Sequence, residues 1–118
     1  MALMNKYDIV IQQGATFSLA ATWRDSSSSP VDLTGYTARA QVRASYSASS
    51  ALVSLTSTNG GIVLGGINGT IALTISATST AALSAPWVGV WDLELQSGGG
   101  EVTRLLEGAV TVTPEVTR

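Results

Sequence analysis

Asp92 and Glu94 stand two residues apart in the run from Trp87 to Leu95. On an extended strand such residues share a face at roughly 7 Å, near the carboxyl separation with which glycosidases cleave a sugar bond. No further acid or pocket-forming loop accompanies the pair, so a solvated strand face is the preferred reading. Asp25 and Asp32 flank a Ser-rich loop and could offer oxygens to calcium. Their spacing lacks the dense ligand pattern of a calcium loop and reads as turn chemistry. Gly65-Gly-Ile-Asn-Gly69 and Gly98-Gly-Gly100 lack the strand-to-helix context and the lysine of a phosphate cradle, and both read as hairpin turns. Asn68-Gly69-Thr70 matches a glycosylation acceptor but has no secretory signal behind it.

The chain has no histidine and no cysteine. Imidazole bases, thiolate nucleophiles, disulfides and the ordinary zinc sites are therefore excluded together. Lys6 is the one lysine and lies near the start, so the many Ser and Thr hydroxyls have no base to activate them. No catalytic residue, cofactor or metal is expected, and the chain reads as non-enzymatic. Six basic residues are scattered through a chain of net charge −2. Nucleic-acid binding, which needs clustered Lys and Arg, is not expected. No run approaches the ~20 apolar residues needed to cross a bilayer, so no membrane span is expected, and synthesis in the cytoplasm is. A 45% hydrophobic fraction with only 12% charged residues suggests a surface partly covered by partners.

Positioning these residues requires strands. Thr16 to Arg24 alternates, with Phe17, Leu19, Ala21 and Trp23 on one face. Tyr36 to Arg43 does the same, placing Arg39 and Arg43 on a basic outer edge. A short strand is expected over Tyr7 to Gln13, serving as an edge or an arm. Leu33 should pin the turn before Tyr36. Asn59-Gly60-Gly61 predicts a hairpin between strands at Leu52 to Leu55 and Ile62 to Leu64. A further strand runs from Thr70 to Ser76, and Thr78 to Leu83 suits one Ser- or Thr-capped helical turn bridging two sheets, closed by Pro86. The last third, Trp87 to Arg118, reads as a long hairpin around Gly98–Gly100. Trp23 and Trp91 belong to the core, whereas Trp87 is a candidate for exposure at an interface. Gly108 is the expected bulge in the return strand.

At 118 residues this is one domain, 1–118, an all-β antiparallel β-sandwich of roughly seven to nine strands. An immunoglobulin-like arrangement is the first choice and a jelly roll the second. An N-terminal arm, 1–6, and a C-terminal tail, 109–118, are expected to reach an interface.

Pro30-Val-Asp-Leu-Thr-Gly-Tyr36 leading into Thr37–Arg43, with Trp91-Asp-Leu-Glu-Leu95 and the ending from Glu107 to Arg118, resembles a family of small tailed-bacteriophage virion structural proteins. The same order is similar to the N-terminal immunoglobulin-like module of phage upper-baseplate proteins. The resemblance implies a non-enzymatic virion component, an accessory connector at the tail, baseplate or fibre base. A capsid decoration or cement protein is the alternative, and a host-surface carbohydrate-binding module the second alternative. The expected partners are other virion proteins and further copies of the chain, met through Trp87, Tyr46, Val110, Val112, Pro114 and Val116. The strand from Val110 to Val116 is expected to add to a partner sheet.

Overall fold

Period-2 apolar alternation builds almost everything in the computed structural model, which describes residues 5–117. Nine strands form in chain order: β1 (Asn5–Lys6), β2 (Ile9–Gln12), β3 (Phe17–Thr22), β4 (Thr37–Arg43), β5 (Val53–Thr56), β6 (Ile62–Leu64), β7 (Thr70–Ile75), β8 (Trp87–Gln96) and β9 (Val102–Thr113). A short α-helix, α1 (Ala77–Ala81), joins β7 to β8. Its N-terminus is capped by Ser76, whose hydroxyl accepts from the Ser79 N–H. The buried Thr80 ties the helix down by donating to the Ala15 carbonyl at 2.8 Å. The peptide bond entering Pro86 is cis.

A six-stranded sheet takes the order β1-β9-β8-β4-β5, with β2 also paired to β9, and a three-stranded sheet takes the order β3-β7-β6. The hairpin β8–β9 is the centre of the larger sheet, as expected. Both N-terminal strands run parallel to β9, Asn5 opposite Leu106 and Ile9 opposite Val110. Parallel pairing departs from the all-antiparallel expectation and makes the first strands an edge of the body. Of the expected arm, residues 1–4 lie outside the described residues.

Between the sheets lie side chains from both, among them Ile11, Ile71, Leu93, Leu95, Val110 and Val112, each 0% exposed. Each such aliphatic side chain contributes about 1.5–3 kcal/mol by leaving water. Leu33 is buried as expected, and its N–H donates to the Gly66 carbonyl.

Two turn expectations are corrected. Asn59–Gly61 joins no hairpin, because β5 pairs with β4 in one sheet and β6 with β7 in the other. Asn59 instead folds back along β5: its side chain accepts from the Thr56 N–H at 3.0 Å and donates to the Ser54 carbonyl at 3.2 Å. With the edge of β5 so occupied and Gly60 at φ 85°, the chain crosses to the second sheet. The bulge, moreover, is not at Gly108. Leu93 pairs with Leu106 while Glu94 pairs with Arg104, leaving Leu105 as the extra residue. That insertion turns both Leu105 and Leu106 into the core and reverses the facing beyond them, so Val102 points outward.

Gly108 serves another purpose. It lies under the first strands, where a Cβ would overlap the Tyr7 carbonyl and the Asp8 side chain. The close approach turns the Tyr7 carbonyl to the Trp91 indole, and the Asp8 carboxylate accepts from the Ala109 N–H at 2.9 Å.

Candidate functional site

Outward residues of β4, β8 and β9 meet in register on the outer face of the larger sheet. Arg39 lies opposite Glu94, Gln41 opposite Asp92 and Arg43 opposite Val90, while Glu94 also faces Arg104 and Asp92 faces Glu107. The Arg39 Nε is 2.9 Å from the Glu94 Oε1. Arg104 reaches three carboxylates, Asp92 at 3.5 Å and Glu94 and Glu107 at 3.8 Å each. Three acids thus share two guanidinium groups at the middle of the sheet. Partial burial, then the charge of Glu94, raises the Asp92 carboxyl above the usual carboxylate range, against the opposing pull of Arg104.

A groove of about 350 Å³ runs along this face. Tyr46 stands at one side of it, 71% exposed. Its loop is fastened from below by Arg43, which donates to the Ala48 carbonyl at 2.9 Å and to the Gln41 side chain at 2.8 Å. An aromatic ring beside alternating charges can take a partner by stacking and by charge-assisted hydrogen bonds.

The expected interface residues divide. Tyr46 lies on the groove, and Pro114 and Val116 are exposed, Val116 at 94%. Val110 and Val112 are corrected: they are fully buried core residues. Their strand is paired on both sides, by β2 through Thr113 and by β8 through Val112. A strand hydrogen-bonded at both edges has no free ladder to offer a partner sheet, so the expected strand addition by 110–116 cannot use residues up to Val112. Trp87 is half-buried, its ring lying over Gly89 and packed against the core.

Asp25 and Asp32 serve their loops. The Asp25 carboxylate accepts from the Ser27 and Ser29 N–H groups, and that of Asp32 accepts from the Thr34 hydroxyl and N–H. The bonds to Thr34 lower the Asp32 carboxyl below its ordinary range. Among the described residues no group of three or more acidic side chains is arranged to hold a metal ion. Asp92 and Glu94 do share a face, but their common partner Arg104 escapes a reading of the sequence. Only the bulge at Leu105 brings Arg104 to that face.

No family model and no curated protein matches the chain. A chain in the crystal structure of a chicken TCR is similar, with a TM-score of 0.56 at 12% sequence identity, over 97% of this chain and 56% of that one. The fold is immunoglobulin-like. The immunoglobulin-like sandwich spans about half the length of the receptor chain it matches, and at this identity the likeness concerns architecture alone. Without cysteines, this sandwich has no inter-sheet disulfide.

Proposed function

We propose that the chain is a non-enzymatic structural protein of a tailed-bacteriophage particle, an accessory connector at the tail, baseplate or fibre base. The stretches that resemble virion proteins are those that build the turn before β4, the middle of β8 and the end of β9. The outer face of these strands carries the reading. An exposed tyrosine and paired arginines beside a groove match the residue types that dominate protein–protein contacts. The contact surface in this proposal is therefore that face, with Tyr46 at its side, in place of the buried valines of β9.

Mass spectrometry of purified particles tests the reading, and particles that lack the protein overturn it. Where it is present, hundreds of copies per particle would mean capsid decoration instead, whereas a multiple of three or six in the low tens means tail. Tyr46→Ala should reduce incorporation while the isolated domain stays folded.

A second reading, a module that binds host-surface carbohydrate, is favoured by one observation: Tyr46, not Trp87, is the exposed aromatic beside a polar groove. Glycan-array binding lost on Tyr46→Ala would establish it.

A further inference from the structure

β3 is an edge strand without protection. Its one sheet partner among the described residues is β7. The Trp23 N–H donates to the Gly69 carbonyl, which sets the alternation of the ladder. Phe17, Leu19 and Ala21 bond toward β7, and the backbone groups of Ser18, Ala20 and Thr22 point away from it. The side chains of Phe17, Leu19 and Ala21 lie on the core face yet stay only half-buried. Proteins commonly blunt such an edge with lysine, proline, a bulge or a cover, and Phe17–Thr22 contains none of these.

The remaining edges are shorter or occupied. β5 has four residues, and Asn59 bonds to its outward groups. β6 has three residues. On the other side, β1 and β2 have two and four, broken where the Tyr7 carbonyl turns to Trp91. Among the described residues a second copy therefore finds no comparable edge except β3 itself. Pairing like with like closes on a two-fold axis and does not propagate.

We infer that two copies of this chain join through β3, antiparallel, with Ala20 facing Ala20 of the second copy. In this register Ser18 lies opposite Thr22 of the other copy, and every outward backbone group of the three residues meets a partner. The two three-stranded sheets become one continuous sheet. No charge lies between Gln13 and Arg24, so the self-pairing brings no like charges together, and the facing side chains are small enough for close approach. Leu19 meets Ala21 of the second copy on the core side, covering the half-buried face.

Sedimentation of the full chain over a concentration series tests this. The expected wild-type result is a species of twice the chain mass. Ala20→Pro removes an outward N–H that the β3–β7 ladder does not use, and Ser18→Lys places a charge on the facing surface. Both variants should halve the mass at unchanged circular dichroism. Amide exchange at Ser18, Ala20 and Thr22 should slow with rising wild-type concentration. A wild-type monomer at all concentrations overturns the inference, as does a dimer that persists in Ser18→Lys. If Ala20→Pro unfolds, Ser18→Lys and the exchange data decide. The outcome is independent of particle composition, which tests the virion reading separately.

Discussion

The indole Nε1–H of Trp91 donates a 2.7 Å hydrogen bond to the backbone carbonyl of Tyr7, 84 positions earlier. The ring is 3% exposed, so the bond fastens the first strands to the centre of the larger sheet from within. Gly108 makes it possible by letting the Tyr7 backbone approach across β9.

Trp91→Phe removes the donor and leaves that carbonyl unsatisfied. The variant should lose about 2 kcal/mol in urea unfolding. Trp23→Phe, which keeps an aromatic edge-on to Tyr36 at the present 6.0 Å centroid distance, should lose about 1 kcal/mol or less. Equal losses would remove the special role of the indole bond. Gly108→Ala, displacing Tyr7, should cost about 2 kcal/mol and speed proteolysis near the N-terminus.

The end of the chain should divide at Thr113. Val110→Ala or Val112→Ala opens space in the core and should destabilise the domain by about 2 kcal/mol. Val116→Ser, at a 94% exposed position, should change stability by no more than about 0.5 kcal/mol. Thermal unfolding of the three variants distinguishes core from tail.

Asp92 gives the domain a pH dependence of definite sign. Its carboxyl titrates above the ordinary carboxylate range in the folded state, so the folded state binds the proton more tightly than the unfolded chain. This group weakens the fold above its raised pKa, and stability returns as pH falls from there to the unfolded value near ~3.9. Asp92→Asn should be the more stable protein at neutral pH, by less than about 1 kcal/mol because the site is partly solvated. The advantage should shrink as pH falls through that window. A gap that widens on acidification would contradict the sign.

Asn59→Ala strips the side chain from the edge of β5 and removes the bonds to Ser54 and Thr56. About 1 kcal/mol of stability should go with them. The uncovered edge should also make the variant associate at concentrations where wild type does not grow beyond its own assembly, as light scattering would register.

Alternation alone places most of the strands, because a strand half-facing a core must repeat every second residue, as Phe17 to Trp23 and Thr37 to Arg43 do. A Ser or Thr cap for the helical turn and the glycine turn of β8–β9 are legible for the same reason, because their chemistry is local, although the cap falls on Ser76, which the alternation assigns to the strand. Asn59–Gly61 looks like a hairpin because a two-strand turn and a crossing between sheets use the same residues, and only the pairing of β5 with β4 separates them. The candidate site is half legible. Arg39, Arg43, Asp92 and Glu94 show their outward faces in the pattern, but the addition of Arg104 depends on the bulge at Leu105.

By itself, then, the sequence determined an all-β chain with most of its strands and its local turn chemistry, and the absence of histidine and cysteine chemistry. Tertiary structure decided which strands pair. The valines of β9 look the same in sequence whether they meet a partner or a core, and burial between β2 and β8 resolves the question. Facing is a property of a strand, whereas register and burial are properties of its neighbours.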